Sequence, residues 1–282
     1  MKKFPAYAWL GIVLVIVFWF FNWTESGLRT HMLFFPLWLG YILTVDGLVY
    51  YRQGNSLITR DFKFFLFLFV LSIPVWWLFE LINLRVDNWQ YLGRDYFSDF
   101  EFAVYSSINF STVIPAVFVS SELISTIPLF RKINIPLRIS NNNHSRIILF
   151  LMGWAMLLAW IIWPEIFFPF VWLSLFFILE PLNGWFGYTN ILMFTNNKEW
   201  RPVVFLFAGA LMCGFFWELW NWHAYPKWIY TLPYLDCCSV FEMPLAGFLG
   251  YLPFALELFA IVVLFAGIIG KHFNFLFLDN VD

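Results

Sequence analysis

The chain has 282 residues, of which 62% are hydrophobic, 24% are aromatic and only 12% are charged. An ordinary water-soluble domain carries about twice that share of charged residues, so the composition excludes such a domain and makes the lipid bilayer the solvent of this protein. The net charge is −2 and the sequence has no basic cluster, which excludes a nucleic-acid partner.

Apolar runs of about 20 residues recur along the chain, and each is long enough to cross a bilayer as a helix. They lack the two-residue alternation of membrane β-strands, so we predict an all-α integral membrane protein. The first run has no small-residue cleavage site, and we expect it to be retained as a helix. The eight predicted spans are Ala6–Phe21, Met32–Tyr50, Phe64–Asn83, Phe102–Ser125, Arg146–Trp163, Phe167–Phe194, Val203–Asn221 and Gly247–Gly270.

The basic residues are distributed unevenly between the two sets of loops that these spans define. Only four of the 16 Lys and Arg residues fall on the side opposite the N-terminus, namely Arg29, Arg85, Arg94 and Lys227. Because cytoplasmic loops carry the excess of Lys and Arg, we predict that both termini are cytoplasmic. The expected location is the inner (cytoplasmic) membrane of a bacterium.

The second half of the chain repeats residues of the first half in the same order. Eight spans therefore divide into two parallel four-helix repeats (4+4), at 1–130 and 146–282, joined by a basic cytoplasmic hinge at 131–145. Because four is an even number, both repeats enter the membrane with the same polarity. The corresponding residues are Phe34–Pro36 and Phe167–Pro169, Trp38 and Trp172, Asp46 and Glu180, Glu80 and Glu218, Asn83 and Asn221, Trp89 and Trp228, Tyr91 and Tyr230, and Pro115 and Pro253.

Acidic residues within apolar spans are the candidate catalytic groups. An unpaired carboxylate costs several kcal/mol in hydrocarbon, so each of these acids is either neutral or has partners inside the bundle. Glu218 has Asn221 one helical turn away, and an Asn there can bond a carboxyl group in either protonation state. We therefore assign catalytic roles to Glu218, Asn221, Glu180 and Glu257. The alternative is that such Glu and Asn side chains only bridge helices.

Glu180 is followed by Pro181 and Asn183, and a proline in mid-helix removes a backbone hydrogen bond. This pattern predicts a broken helix that lines a cavity near the bilayer centre, with a packing kink as the alternative. Glu242 precedes the last span and lies at the rim of the expected site, where it could equally serve as a helix cap.

The predicted substrate-binding residues are mainly aromatic: Trp217, Trp222, Trp228, Tyr230, Asn183 and Glu242. Trp and Tyr also anchor proteins at the membrane interface, which is the simpler explanation for some of them. We interpret the aromatic residues around His223 and Asp236 as a lid over a lipophilic pocket. Cys237 and Cys238 are adjacent and do not indicate a disulfide framework.

Several kinds of site lack support in the sequence. No HxxxH or HExxH spacing is present, so we predict no zinc or di-iron site. Nucleotide-binding glycine motifs and the GxSxG serine elbow are also missing from the sequence. We predict no cofactor.

Two short motifs lie between the last two spans: Trp228-Ile-Tyr230, and Phe241-Glu-Met-Pro244. Together they resemble the motif of the small membrane-bound lycopene cyclases, which also occur as duplicated helix sets. That family carries a pair of acids after the proline, whereas here one acid precedes it. The resemblance covers only this stretch and implies an acid that protonates an isoprenoid.

Two functions from different classes fit these observations. The first is an intramembrane enzyme that acts on a lipophilic substrate, either isoprenoid-like or an acyl lipid, through buried carboxylic acids. The second is a proton- or cation-coupled transporter or channel with the acids along the pathway between the repeats. A third is a helper subunit for other membrane proteins. The expected partners are a membrane lipid or lipophilic small molecule, and a second copy or another membrane protein.

Overall fold

A computed structural model describes residues 3–235, 238–271 and 274–279 of the chain. In this part of the chain, eight helices are long and apolar enough to cross a membrane, which confirms an all-α, multi-pass membrane protein. Each predicted span overlaps one of them. The helices are α1 (Ala6–Thr24), α2 (Thr30–Gln53), α3 (Phe62–Val86), α4 (Asp99–Ser125), α5 (Asn143–Ile162), α6 (Pro164–Trp185), α7 (Arg201–Trp222) and α8 (Leu245–Ile268).

Three of these helices are irregular, α4 at its middle and α6 and α8 near their beginning. Helix α4 consists of Asp99–Phe110 and Val113–Ser125 with a turn between them. Helix α6 passes from Pro164–Phe167 through a 3₁₀ turn at Phe168–Phe170 into Val171–Trp185. Helix α8 begins with a 3₁₀ segment, Leu245–Gly250, and continues as Tyr251–Ile268.

The predicted break at Glu180 and Pro181 is wrong. Helix α6 runs through Pro181 to Trp185, and the residues up to Phe194 form a loop and a separate short helix, Ile191–Asn196. Neighbouring helices can stabilise a proline within a membrane helix, and here the Asn183 side chain donates a hydrogen bond to the Ala260 carbonyl of α8 at 2.9 Å. Glu180 therefore lies near the end of α6 and not at mid-helix.

Four short strands lie at the end of the bundle opposite the N-terminus. Strand β1 (Trp89–Leu92) follows α3 and strand β2 (Lys227–Tyr230) follows α7. The two pair antiparallel, with Trp89 opposite Tyr230 and Tyr91 opposite Trp228. Strands β3 (Ser239–Val240) and β4 (Met243–Pro244) form a second small hairpin before α8. A 3₁₀ turn, Arg94–Tyr96, follows β1.

The opposite end of the bundle carries the remaining short helices: Leu57–Arg60, Pro128–Arg131, Ile191–Asn196 and Leu276–Asp279. The last of these packs against α4, where the Phe275 and Phe118 ring centroids are 4.7 Å apart and the Leu276 amide donates a hydrogen bond to Glu122. The predicted hinge at 131–145 rests on the helix Ile191–Asn196, because the Ile139 amide donates to the Thr195 carbonyl.

Helices α4 and α7 pack closely in the centre of the bundle. A Cβ atom at Gly209 of α7 would lie only 2.7 Å from the backbone nitrogen of Ser121 on α4. Small residues allow membrane helices to approach in this way, and much of their association comes from the resulting van der Waals contacts. Residue 209 must therefore be a glycine, because the backbone of α4 leaves no room for a side chain at this position.

We expect Gly209→Leu to lower the midpoint of thermal unfolding by several degrees, because overpacking a tight interface costs about 1–3 kcal/mol or more. Scanning fluorimetry of the detergent-solubilised protein measures this. Gly250→Ala is the control, since a Cβ atom there meets the Trp172 ring at an ordinary 3.6 Å. Equal stability of the two variants would contradict the close contact between α4 and α7.

Candidate functional site

The first element of the site is a carboxyl group at the end of α3 that accepts hydrogen bonds from aromatic side chains. The Glu80 oxygen Oε1 accepts from Trp76 Nε1 at 2.9 Å, from Trp89 Nε1 at 3.2 Å and from the Tyr91 hydroxyl at 2.5 Å. Alternate residues of a strand share one face. Trp89 and Tyr91 of β1 therefore both reach back to the same carboxyl group.

The second element repeats this arrangement at the end of α7. The Glu218 oxygen Oε1 accepts from the Tyr230 hydroxyl at 2.7 Å and from the Tyr251 hydroxyl of α8 at 2.9 Å. The Trp228 indole donates to the Tyr230 hydroxyl at 2.9 Å and so bonds to the acid indirectly. Glu218 is fully buried, and its Oε2 atom has no hydrogen-bond partner among the described residues.

The two asparagines do not bond to these acids, contrary to the expectation from their spacing. Asn221 accepts a hydrogen bond from the Trp228 amide at 3.0 Å and donates one to the Trp228 carbonyl at 2.7 Å. Asn83 likewise accepts from the Asn88 amide at 2.8 Å and donates to the Trp89 carbonyl at 2.7 Å. Each Asn therefore holds the strand that carries the aromatic donors, because a turn after a helix leaves backbone groups unpaired.

A cavity of about 460 Å³ is lined in part by residues of the β1–β2 sheet. Its wall contains the aromatic side chains that bond to Glu80 and Glu218. Two of its lining residues, Trp217 and Tyr251, stack with ring centroids 5.8 Å apart, and a third, Trp172, stacks on Phe79 behind it at 5.4 Å. The aromatic residues that line the cavity include Trp76, Trp89, Tyr91, Trp172, Trp217, Trp228, Tyr230, Tyr251 and Phe254.

The two strand tyrosines are permanent hydrogen-bond donors. Burial raises the pKa of the Tyr91 and Tyr230 hydroxyls well above the usual value of about 10, and the adjacent Glu80 and Glu218 raise it further. Both hydroxyls therefore stay protonated at physiological pH. They can donate to a carboxyl group at all times.

Three of the predicted substrate-binding residues line this cavity, namely Trp217, Trp228 and Tyr230. Trp222 does not line it, because it is the last residue of α7 and its side chain is exposed. Glu242 lies between β3 and β4 and forms an ion pair with Lys227, so it does not cap α8. Lys227 itself lines the cavity, whereas Glu242 is not among the lining residues.

The predicted aromatic lid is not a single cluster in the structure. Trp220 is buried against α1 and α2, where its ring centroid is 5.9 Å from that of Trp19 and 5.0 Å from that of Trp38. Tyr234 is exposed and does not line the cavity. Two residues assigned to this region, Asp236 and Cys237, lie outside the described residues.

Glu180 and Asn183 lie at the other end of the bundle, away from the cavity. A Glu180 oxygen accepts a hydrogen bond from the Leu192 amide at 2.7 Å, at the beginning of the short helix Ile191–Asn196. An acid at that position satisfies a free amide of the helix start. Asp46 does the same for the Ile58 amide of the helix Leu57–Arg60, at 3.1 Å.

Glu257 lies on α8 one turn beyond Phe254, which lines the cavity. The side chain is fully buried beside the backbone of Leu175 and Phe176 in α6. Neither of its carboxyl oxygens has a hydrogen-bond partner among the described residues. The structure therefore does not bring Glu218, Glu257, Glu180 and Asn221 together in one pocket.

Sequence reasoning missed three residues that the structure places at the cavity. Glu80 was identified only as the counterpart of Glu218, although its own Trp-x-Tyr strand follows it in the same way. Tyr251 gives no signal in the sequence, and Trp172 was noted only as the counterpart of Trp38, because both residues meet the site through the packing of α6 and α8.

Comparison of the chain with protein-family models, with curated proteins and with solved structures found no match. In the described part of the chain, no three His, Cys, Asp or Glu side chains converge in the way that a metal site requires. The chemistry of the site is therefore argued from its carboxyl, phenol and amide groups.

We expect Asn83→Ala and Asn221→Ala to destabilise the protein by similar amounts, because each removes hydrogen bonds to buried strand backbone worth about 1–3 kcal/mol. Thermal unfolding followed by tryptophan fluorescence measures the loss. Asn197→Ala is the control, since that side chain is exposed at the other end of the bundle. Unchanged stability in both test variants would show that the asparagines do not hold the strands.

Proposed function

We propose that this protein is an intramembrane enzyme that binds a lipophilic substrate in the cavity and transfers a proton to it. One observation carries the proposal: the side chains that wall the cavity are the same ones that donate hydrogen bonds to Glu80 and Glu218. The acids are thus coupled to whatever occupies the cavity. A purely structural acid needs no such connection to a ligand-sized space.

The size and lining of the cavity support a lipophilic substrate. Small-molecule sites occupy about 300–1,000 Å³ and combine apolar walls with a few polar groups, and this cavity has that character. Indole and phenol rings also stabilise a cation that develops over their faces. Protonation of an alkene forms one C–H bond and produces such a cation, and loss of a proton from a neighbouring carbon to the Glu218 carboxylate then restores a double bond. This chemistry fits an isoprenoid-like substrate; an acyl lipid is the other class.

Glu218 is the proposed proton source in the second half of the chain. No ion pair among the described residues includes Glu218 or Glu80, and a buried carboxyl group without a cation is more stable in its neutral form. Tyr230 and Tyr251 line the cavity whereas Glu218 does not. A proton from Glu218 would therefore reach the substrate through one of these hydroxyls, with Asn221 holding the strand in place.

The duplication predicted from the sequence is part of this proposal, and the β1–β2 sheet supports it. Trp89 pairs with Tyr230, and Tyr91 pairs with Trp228. Exchanging each residue for its counterpart in the other half maps these two pairs onto each other. A two-fold axis along the membrane normal has that effect.

A second pair of contacts fits the same axis. The Trp38 ring of α2 is 5.1 Å from Trp217 of α7, and the Trp172 ring of α6 is 5.4 Å from Phe79 of α3. Trp38 corresponds to Trp172 in the repeat, and Phe79 corresponds to Trp217. We therefore propose two parallel four-helix repeats that each pack their second helix against the third helix of the other.

We also retain the proposed orientation, with both termini cytoplasmic and the cavity toward the outer leaflet of a bacterial inner membrane. The distribution of Lys and Arg supports it. Helices α1 and α5 expose apolar side chains along most of their length. These faces contact lipid, a second copy or another membrane protein.

The alternative function is proton- or cation-coupled transport, and Glu257 is the observation that favours it. Its carboxyl group is buried between the cavity and the terminal end of the bundle, without a hydrogen-bond partner in the described residues. Ionisable groups in that position mark proton pathways in membrane proteins. In this function Glu218, Glu257 and Glu180 would be successive carriers.

The enzyme is tested by incubating the full-length protein with membrane lipid extract in D₂O, because protonation of carbon places deuterium in the product. Mass spectrometry of the lipids should show a deuterated species with the wild type and at least a tenfold loss with Glu218→Gln. Gly250→Phe should abolish it by filling the cavity, since Gly250 lines that space. Glu165→Gln, at an exposed acid, is the matched control.

Transport, the alternative function, is tested by reconstituting these variants and Glu257→Gln into liposomes that contain a pH-sensitive dye. Proton flux that is lost in Glu257→Gln but retained in Glu165→Gln would support transport. Deuterium incorporation that is unchanged in Glu218→Gln would contradict the enzyme as proposed.

A further inference from the structure

The Asn88 side chain at the cavity has no hydrogen-bond partner in the part of the chain that the structure describes. Asn88 is only 1% exposed and lines the cavity, yet neither its Oδ1 nor its Nδ2 atom has a hydrogen-bond partner among the described residues. Its backbone is fixed on both sides, because its amide donates to Asn83 at 2.8 Å and its carbonyl accepts from the Thr231 amide at 2.9 Å. The amide group of Asn88 is therefore held rigidly at the cavity.

Two more neutral polar groups at the same cavity lack partners. His31 Nδ1 and Asn109 Oδ1 are buried atoms without a hydrogen-bond partner in the part of the chain that the structure describes, and both residues line the cavity. They are neighbours, since Asn109 Nδ2 donates to the His31 carbonyl at 3.5 Å. Leaving a buried polar group unpaired costs about 1–3 kcal/mol, so three such residues at one cavity indicate a polar ligand group.

The charged residues at this cavity are already paired. Arg94 forms an ion pair with Asp99, and Lys227 forms one with Glu242. Each positive charge is thus balanced by an acid of the protein. The groups that remain for a ligand are the Asn88 and Asn109 amides and the His31 imidazole, and none of them supplies a formal charge opposite to a phosphate or carboxylate.

We propose that the ligand is an amphipathic lipid with an uncharged oxygen-containing head, a hydroxyl or carbonyl group, that hydrogen-bonds to Asn88. This inference rests on the proposed function, because it names the substrate class of the same cavity. An amide both donates and accepts, which matches a hydroxyl or carbonyl oxygen. The apolar tail lies against the Trp172 and Trp217 rings, each of which is stacked on another aromatic ring.

The asymmetry of the cavity fixes the orientation of such a ligand. In the proposed repeat, Asn88 corresponds to Lys227, and Lys227 forms an ion pair with Glu242. Among the described residues, the polar group of this pair that lacks a hydrogen-bond partner is therefore the one on the Asn88 side of the sheet. The head binds beside β1, and the tail extends toward Glu218 and its tyrosines.

The experiment uses the full-length protein in phosphatidylcholine nanodiscs that contain equal mole fractions of farnesene, farnesol, farnesoic acid and farnesyl diphosphate. The protein is captured and washed, and the retained probes are quantified by mass spectrometry. We expect farnesol to be enriched about two- to tenfold over farnesene, the gain that a single hydrogen bond provides. The two anionic probes should be retained least.

Variants separate the polar contact from the cavity itself. Asn88→Leu keeps the side-chain size and should abolish the preference for farnesol while farnesene binding persists, whereas Asn197→Leu should change neither. Gly250→Phe should remove all four probes. Compared with Asn88→Leu, Asn88→Asp restores a polar group but adds a negative charge. It should therefore recover part of the farnesol binding only at low pH, where the carboxyl group is neutral.

The outcomes are distinct for the two proposals. Farnesol and farnesene retained equally, with no effect of Asn88→Leu, would overturn the polar-head inference and leave the lipophilic cavity intact. Preferential retention of the anionic probes would also overturn it. Failure to retain any probe, with no effect of Gly250→Phe, would instead contradict the proposed lipid-binding function.

Discussion

The hydrogen bonds between an asparagine side chain and the strand after its helix are the constraint on which the site depends. Asn83 and Asn221 lie one turn beyond Glu80 and Glu218, and each holds the backbone of the strand that follows. This contact turns the chain back over the helix end. It thereby places the Trp and Tyr of the strand on the carboxyl group, and two such strands then pair to cover the cavity.

The two halves share this scaffold but differ in the side chains that they present. Glu80 bonds to Trp76 of its own helix, whereas Glu218 bonds to Tyr251 of α8. The Asn88 side chain has no hydrogen-bond partner among the described residues, whereas Lys227 on the paired strand forms an ion pair. If the proposed duplication is correct, a symmetric framework with asymmetric contents would suit a ligand whose two ends differ, because such a ligand would bind in one direction only.

The acids at the two ends of the bundle have different partners. At the end of the bundle that carries the chain termini, Asp46, Glu180 and Glu122 accept hydrogen bonds from backbone amides at the starts of short helices. At the cavity end, Glu80 and Glu218 accept indole and phenol donors. Acids that bond to loop backbone stabilise the connections between spans, whereas acids that bond to side chains of a cavity wall are available for chemistry.

The sequence by itself determined the eight helices, because runs of apolar residues must satisfy their backbone within the bilayer. Its internal matches also pointed to Glu218, Trp228 and Tyr230. Only the tertiary structure decided which acids bond to the side chains of the cavity wall. Tyr251, Trp172 and Asn88 reach the cavity through helix packing and strand pairing. Glu180 shows the same limit. Its proline predicted a break at mid-helix, whereas the helix continues through Pro181 to Trp185 and Asn183 donates a hydrogen bond to α8.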